Sequence, residues 1–412
     1  MATSEECCNA DELEAPAWIN TEFFQNVLAQ HLNEPDIEVK KLTISPASVK
    51  GDHYASVMFR TTLEYTTRLG SFSKSLIIKT LPEQEGHKKE LLGDSHIFAT
   101  EIAMYTKILP MFEQILRQAG DETTLCTSCI YYSLEPRNVM IFEDLVSQGF
   151  SVVRGRPANL AELKAALGKL AKWHAVSFKL LKEQPELFDE LKYDVSTLPN
   201  FMEQEVMTKS LPNFIQMLGE VDGLEQYQKY FEPLRDNLNQ RWLNVLREYR
   251  ESRKPDGYYV LCHGDFHLRN MMFKDLECML LDFQMSYVSS MANDVIYAIY
   301  MLFSFEQRRD NCDELINYYF ETLLKTLTKI GYEGHAPCLA TFRKQLFEKR
   351  HNSIFLLVTF LPFITYMRNG GDVADLVEDT EKSKDLLYEK EYRRELEYQL
   401  PRMVALGFFE EA

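Results

Sequence analysis

The polar stretch His263–Asn270 carries residue types that suit phosphoryl transfer. It places the carboxylate of Asp265 five residues before the amide of Asn270, and a second carboxylate, Asp282, follows twelve residues later. Transfer of the γ-phosphoryl group of ATP requires hard oxygen ligands for Mg²⁺ and a group that accepts the proton of the attacking hydroxyl. We therefore predict Asn270 and Asp282 as Mg²⁺ ligands and Asp265 as the catalytic base. A lone aspartate is more often an N-cap or turn residue, but the spacing of the three groups disfavours that interpretation.

Other polar residues receive less specific interpretations. Arg269 either contacts the transferred phosphoryl group, which a guanidinium binds through two hydrogen bonds, or binds nearby carboxylates, and the sequence favours neither. His263 and His267 are predicted to brace the loop as hydrogen-bond donors, because no zinc-site spacing involves them. His174 follows apolar residues on one helix face and is interpreted as a core histidine. Asp294 is interpreted as the N-cap of the helix that starts at the next residue.

Lys79 and Glu101 are candidates for holding the nucleotide. Lys79 ends an apolar strand, from which its ammonium could reach the α- and β-phosphates. Glu101 shares a helical stripe with apolar residues, so we expect its carboxylate to point inward and to pair with Lys79. The alternatives are a solvated lysine at a strand end and a surface glutamate.

Two further segments are candidates for nucleotide contacts. In Lys50–Ser56, the backbone at Gly51 and the hydroxyl of Ser56 could cradle phosphate, although an ordinary hairpin turn fits the same residues. It is not a Walker loop, which needs a longer glycine-rich turn. Phe142 and Glu143 end a buried strand just before the chain changes character, and there a connector could offer backbone groups to adenine. A core strand followed by an acidic turn explains their composition equally well.

Composition and periodicity indicate the elements that must position these residues. The 412 residues carry 45 basic and 62 acidic side chains, a net charge of −17, which disfavours a nucleic-acid partner. Five segments rich in β-branched and aromatic residues predict strands, with a helix from Ser95 to Gln118 between the third and the fourth. These strands are Ile37–Ile44, Tyr54–Tyr65, Ser71–Leu81, Leu125–Leu134 and Asn138–Phe142. They predict a small, mainly antiparallel β lobe with one inserted helix.

The rest of the chain predicts a larger, mainly helical lobe. From Asn159 onward most windows have a helical period, with Tyr258–Phe283 as an exception that alternates short strands with the polar loop. A chain of this length tends to divide into domains. We predict an α+β, protein-kinase-like fold of two lobes. Residues 1–145 would form the nucleotide-binding lobe, and residues 146–412 the helical lobe with the catalytic loop and substrate pocket.

The termini and the apolar segments predict a cytoplasmic protein without a membrane span. No basic stretch leads into an apolar run at the N-terminus, as a secretory or mitochondrial signal would require. The apolar stretch Ser353–Met367 is shorter than the roughly 20 residues that cross a bilayer, and it contains Pro362. We interpret it as a kinked, buried helix. The scattered cysteines fit reduced thiols.

The assembled motifs resemble the kinase-like superfamily of choline and aminoglycoside phosphotransferases, and most closely the arthropod ecdysteroid kinase-like family. Gln284 stands where protein kinases have glycine, which is usual for the family and argues against a protein kinase with a flexible activation segment. The resemblance spans most of the chain and rests on Gly51–Ser56, Lys79–Pro82, Glu101 before Tyr105, Phe142–Leu145, Leu170–Ala175, His263–Asp265 with Asn270, and Asp282–Gln284.

The resemblance implies an activity and a set of roles. Asp265 looks like the family's catalytic base, Asn270 and Asp282 like its Mg²⁺ ligands, and Lys79 with Glu101 like its phosphate-binding pair. The implied reaction is ATP-dependent phosphorylation of a hydroxyl on an ecdysteroid or a similar lipophilic alcohol, with xenobiotic detoxification as a possible purpose. The alternatives are a choline- or ethanolamine-type kinase and a catalytically silent ligand-binding pseudokinase.

Overall fold

The computed structural model describes residues 14–47, 56–82, 95–368, 371 and 384–410. Within these ranges the chain forms two compact units. The first comprises the described residues of Met1–Pro110 and Cys126–Ser151, and the second those of Met111–Leu125 and Val152–Ala412. Residues 111–125 thus belong to the second unit. The division into domains at residues 145 and 146 stays a prediction.

The first unit is built on a five-stranded antiparallel sheet with the order β1-β2-β3-β5-β4. Alternating apolar residues face its core, where Phe59, Leu63 and Ile78 are fully buried. A π-helical turn, Met104–Ile108, joins α2 and α3, so the predicted helix is one helical run. The elements of this unit are α1 (Thr21–Leu32), β1 (Glu38–Pro46), β2 (Val57–Thr67), β3 (Gly70–Thr80), α2 (Ile97–Ala103), β4 (Cys129–Ser133) and β5 (Val139–Glu143). Helix α3 (Leu109–Gln118) starts in this unit and continues into the second.

The second unit is mainly helical. Its longest helix, α4, starts with a capping box in which Asn159 and Glu162 satisfy each other's peptide N–H groups. The predicted α+β class is therefore confirmed, with a small antiparallel sheet and a larger helical part. The helices are α4 (Leu160–Glu183), α5 (Glu205–Thr208), α6 (Ser210–Glu220), α7 (Gln228–Phe231), α8 (Leu238–Glu251), α9 (Met291–Tyr297), α10 (Phe305–Asp310), α11 (Cys312–Lys329), α12 (Leu339–Glu348), α13 (Arg350–Thr359), α14 (Leu361–Arg368) and α15 (Lys390–Ala405).

Several helices are shorter than their periodicity predicts. The helical period covers 201–218, 227–250 and 341–367, and in the structure each of these ranges is divided into separate elements. Proline accounts for two of the breaks, because it lacks an N–H and is disfavoured beyond the first turn of a helix. Pro362 is the second residue of α14, and Pro233 lies in the 3₁₀ turn Glu232–Leu234. No helix in the described ranges is both long and apolar enough to cross a membrane.

Two short antiparallel pairs interrupt the helices and frame the polar loop. Strand β6 (Tyr259–Cys262) pairs with β9 (Tyr287–Ser290), and β7 (Met271–Lys274) pairs with β8 (Glu277–Leu280). The sequence did not predict β9. The loop runs from the end of β6 to the start of β7, so paired strands fix both of its ends. Such a loop can hold side chains in a defined position.

Candidate active site

Gly264 sets the backbone of the polar loop. Its φ of +80° lies in the left-handed region. A Cβ at this position would lie 2.1 Å from the carbonyl oxygen of Met285. Glycine therefore permits both the conformation and the close approach of two backbone segments, which no other residue does without a shift. This turn leads directly into Asp265.

Asp294 anchors the start of the loop. Its carboxylate accepts hydrogen bonds from the peptide N–H groups of His263, at 2.6 Å, and Gly264, at 3.0 Å. The prediction that Asp294 is a helix N-cap was wrong, because α9 starts at Met291 and has Ser290 as its N-cap. Asp294 lies inside α9 and satisfies loop donors instead. The periodicity gave no signal for this contact, which is long-range in sequence.

His174, Cys262 and Asp294 form a buried group next to that anchor, with candidate ligand atoms within 4.8 Å of one another. His174 Nε2 lies 3.1 Å from Asp294 Oδ2, and His174 Nδ1 lies 2.6 Å from the Tyr319 hydroxyl. Both imidazole nitrogens and both carboxylate oxygens thus have partners within the described chain. We interpret the group as structural, which agrees with the prediction that His174 is a core histidine.

His263 braces the loop, as predicted. Its Nε2 lies 3.1 Å from the carbonyl oxygen of Leu281, and its Nδ1 accepts the peptide N–H of Asp265 at 3.3 Å. Since a carbonyl only accepts, the proton is on Nε2. The side chain is buried, and burial lowers the pKa of His263, which favours this neutral form. It ties the loop to the residue before Asp282.

Three side chains surround the carboxylate of Asp265. The Tyr297 hydroxyl donates to Oδ1 at 2.6 Å, and His267 Nε2 lies 3.3 Å from the same oxygen. The Asn270 amide donates to Oδ2 at 2.8 Å and to the Asp265 carbonyl at 3.0 Å. The side chain of Asp265 is 26% exposed. The carboxylate is thus held in place and still accessible.

These contacts set the charge of the group. Burial raises the pKa, but His267 and Tyr297 outweigh it and hold the pKa of Asp265 well below its usual range. Burial and the nearby carboxylate raise the pKa of Tyr297 well above its ordinary value, so the phenol keeps its proton. Asp265 is therefore ionised at neutral pH and able to accept a proton.

Asn270 and Asp282 offer oxygen atoms in the same neighbourhood. The amide nitrogen of Asn270 is used on Asp265, which leaves the amide oxygen for a cation. Leu281 donates its peptide N–H to the Asn270 carbonyl at 2.9 Å, and Asp282 is the next residue. Burial lowers the pKa of His267, but the negative charges of Asp265 and Asp282 outweigh burial and raise it.

The donor set of this neighbourhood fits Mg²⁺. Asn270 and Asp282 supply neutral and anionic oxygen atoms, the hard ligands that this ion prefers. Asp282 has a left-handed backbone, with φ of 61°, and its Oδ2 accepts from the Gln284 amide at 3.3 Å. Such strained non-glycine conformations are more frequent at functional sites.

Arg269 lies in the same loop, four residues after Asp265. Its peptide N–H donates to His267 Nδ1 at 3.2 Å, and its side chain is partly exposed. Among the described residues, its guanidinium forms no ion pair with a carboxylate. Contact with the transferred phosphoryl group stays a prediction.

In the first unit, Lys79 and Glu101 form the predicted ion pair, 2.6 Å apart. Strand β3 carries the lysine opposite Met58 of β2 and Met140 of β5, and α2 carries the glutamate. The two side chains are 6% and 2% exposed. A buried charge requires such a partner. Their role toward ATP stays a prediction.

The remaining nucleotide candidates also lie in the first unit. Gly51 lies outside the described residues, and Ser56 is buried just before β2. Phe142 is buried and packs on Tyr105, with ring centroids 4.7 Å apart.

Glu143 is tied to its surroundings through its backbone and its side chain. Its peptide N–H donates to Ser128, its carbonyl accepts from the Thr127 hydroxyl, and its carboxylate pairs with Lys74 at 2.8 Å. Contacts of Phe142 and Glu143 with adenine stay predictions.

The sheet with its buried Lys–Glu pair and the loop with Asp265, Asn270 and Asp282 define a kinase-like protein. Residues 50–332 match the model of the ecdysteroid kinase-like family, and the chain belongs to that family. The resemblance that the motifs indicated is thereby confirmed. Membership supports a small-molecule kinase. No curated protein matches the chain significantly.

Solved structures give a weaker likeness. A choline kinase from Cryptosporidium parvum has 11% sequence identity and a TM-score of 0.45, covering 94% of this chain and 98% of that one. An ethanolamine kinase from Plasmodium vivax has 12% identity and a TM-score of 0.39, with 90% and 89% covered. An amicoumacin kinase in complex with AMP-PNP and Ca²⁺ has 14% identity and a TM-score of 0.40, with 85% and 89% covered.

Proposed function

We propose that this protein transfers the γ-phosphate of ATP to a hydroxyl of an ecdysteroid or a similar lipophilic alcohol. One observation supports the proposal most strongly: an ionised, accessible Asp265 lies against Asn270 and close to Asp282. A base beside two oxygen ligands is the combination that phosphoryl transfer needs, and these three residues have the chemistry to supply it. The second support is membership of the ecdysteroid kinase-like family.

Each proposed role matches the chemistry of the residue that carries it. Asp265 accepts the proton of the acceptor hydroxyl, a contribution of ~10²–10⁴-fold in rate. Asn270 and Asp282 hold Mg²⁺, which when bound neutralises charge on the phosphate oxygens. Arg269 contacts the transferred group through its guanidinium.

In the first unit, the nucleotide is bound by residues of the sheet and its neighbouring segments. Lys79 binds the α- and β-phosphates and is oriented by Glu101. Gly51 and Ser56 line the phosphate loop, and backbone groups near Phe142 and Glu143 contact adenine.

The proposed acceptor is a lipophilic alcohol because the family takes its name from ecdysteroids. Adding a phosphate gives such a molecule at least one negative charge, which alters its binding and its passage through membranes. Hormone inactivation and xenobiotic detoxification in the cytoplasm both fit this chemistry. We therefore propose the hydroxyl and the lipophilic body as the recognised features.

Incubation of the purified chain with ATP, Mg²⁺ and a panel of alcohols tests the proposal. The panel contains ecdysteroids, choline, ethanolamine and plant glycosides, and mass spectrometry detects any added phosphate. We expect product from an ecdysteroid or another lipophilic alcohol, and none from Asp265→Asn or after chelation of Mg²⁺. Product from choline or ethanolamine alone would replace the proposed acceptor class. Nucleotide binding without any product would indicate a silent pseudokinase and contradict the proposal.

A further inference from the structure

The two carboxylate oxygens of Asp265 are unequally occupied. Oδ1 accepts from the Tyr297 hydroxyl at 2.6 Å and lies 3.3 Å from His267 Nε2, whereas Oδ2 accepts from the Asn270 amide at 2.8 Å. An ionised carboxylate has roughly four lone-pair sites, two on each oxygen. Within the described parts of the chain, Oδ1 is therefore fully used and Oδ2 keeps one site for another donor.

A hydrogen bond at Nδ1 of His267 shows which of its two ring nitrogens carries the proton. The peptide N–H of Arg269 donates to His267 Nδ1 at 3.2 Å, so that nitrogen carries no proton. The proton of the neutral imidazole is therefore on Nε2, which faces Asp265. The Nε2 proton of His267 therefore lies on the side of Oδ1, at an Nε2–Oδ1 distance of 3.3 Å.

Tyr297 is a fixed donor because its helix is tied to the loop. It is the last residue of α9, and the π-helical turn Ala298–Leu302 follows it directly. Three residues earlier in the same helix, Asp294 holds the peptide N–H groups of His263 and Gly264. The phenol is partly exposed, like the carboxylate that it contacts.

We infer that Tyr297 is a positioning residue which, together with His267, fills Oδ1 of Asp265 and directs the acceptor hydroxyl to Oδ2. This inference rests on the proposed function. The proton of the acceptor O–H passes to Oδ2 while its oxygen forms a bond to the γ-phosphorus. The bond from that phosphorus to the bridging oxygen breaks, and ADP leaves with the bonding electrons. By occupying Oδ1, Tyr297 also excludes a water molecule that Asp265 would otherwise orient and activate.

Tyr297→Phe tests the inference, because it removes only the hydroxyl. Tyr300→Phe is the matched control: Tyr300 is a buried phenol one helical turn further on and does not contact Asp265. For both variants and the native chain we would measure transfer to the best acceptor of the panel, ATP hydrolysis without acceptor, ATP affinity by calorimetry, and Tm.

For Tyr297→Phe, loss of one charge-assisted hydrogen bond should lower kcat for transfer by about tenfold. The ratio of acceptor-independent hydrolysis to transfer should rise, while ATP affinity stays within about twofold, since the hydroxyl does not hold the nucleotide. Tyr300→Phe should match the native chain in transfer, in the hydrolysis ratio and in ATP affinity, and any fall in its Tm reports only the lost contact of its hydroxyl with Ser353. A Tyr297→Phe variant with native kcat and native hydrolysis ratio would overturn the inference. A loss of transfer activity in this variant that weaker ATP binding fully explains would also overturn the inference. Absence of any turnover in the native chain would instead overturn the proposed function, and this inference with it.

Discussion

The two units hold their charged groups in different ways. In the first, Lys79 and Glu101 lie on a regular strand and helix, and each neutralises the other in a nearly dry environment. In the second, Asp265 lies on an irregular loop, remains 26% exposed, and is held by hydroxyl, imidazole and amide donors. A buried ion pair fixes geometry, whereas a carboxylate surrounded by donors stays ionised and can still receive a proton. The first arrangement suits binding, and the second suits chemistry.

Asp265→Asn should have the largest effect and should separate the two arrangements. Removing the base lowers transfer by ~10²–10⁴-fold. We expect ATP affinity to change little, because the proposed contact of Asp265 is with the acceptor hydroxyl and not with the nucleotide. Steady-state kinetics and calorimetry would measure this. Native activity in this variant would remove Asp265 from the role of base.

Glu101→Gln should instead act on stability. It leaves the Lys79 charge buried without its carboxylate, which costs about 3–5 kcal/mol. The exposed pair Lys41–Glu64, at 3.3 Å on the same sheet, provides a control, since Glu64→Gln should cost at most ~1 kcal/mol. Urea unfolding measures both variants.

The double variant Lys79→Met with Glu101→Leu sharpens this test. It replaces the charges with apolar groups and should recover most of the lost stability. The ATP affinity of the double variant should nevertheless be lower than that of the native chain, because the ammonium of Lys79 is gone. Equal destabilisation by Glu101→Gln and Glu64→Gln would show that the buried pair has no special importance.

Gly264→Ala tests whether backbone shape positions the base. The left-handed conformation alone costs a non-glycine residue roughly 1–2 kcal/mol, and the close Met285 carbonyl adds to that cost. Gly155 also has a positive φ, of +67°, but a Cβ there meets no atom within 4 Å. Gly155→Ala should therefore lose only the stability that the left-handed conformation costs an alanine, and it should keep full activity. Equal losses from the two substitutions in unfolding and kinetic assays would contradict the proposed crowding at Gly264.

Asp144 provides the smallest of these effects, together with a pH dependence. The side chain of Asp144 is 3% exposed. Its carboxylate binds the Arg60 guanidinium at 2.7 Å and accepts from the Ser75 hydroxyl at 2.8 Å. Burial opposes the shift, but these partners lower the pKa of Asp144 in the folded protein. Its contribution of about 1.5–3 kcal/mol is therefore present above the unfolded-state pKa of roughly 3.9 and is lost as pH falls through the lower folded value. Asp144→Asn should lower stability at pH 7 and flatten its acid dependence. Urea titrations across this pH range that are identical to those of the native chain would disprove this role.

The sequence predicted the parts of the site that regular structure or a spaced motif encodes. An apolar strand that ends at Lys79 and a helical stripe that includes Glu101 predicted the pairing of these two residues, which the structure shows. The spacing of Asp265, Asn270 and Asp282 predicted their proximity. It did not predict the contacts of Asp294 and Tyr297 with the loop. Both residues lie about 30 positions from their partners, and only tertiary packing brings α9 against the loop. The helix break near Pro233 was encoded locally, yet the strong helical period masked it. At Pro362 the sequence predicted a kink, and the structure starts a new helix there.

The most direct test of the account is ATP affinity measured by calorimetry with and without Mg²⁺, for the native chain, Asp282→Ala and Asp265→Asn. If the loop combines a metal ligand and a base, Mg²⁺ should strengthen ATP binding in the native chain and in Asp265→Asn, but not in Asp282→Ala. The same Mg²⁺ effect in all three proteins, or none in the native chain, would contradict the assignment of this loop as the catalytic centre.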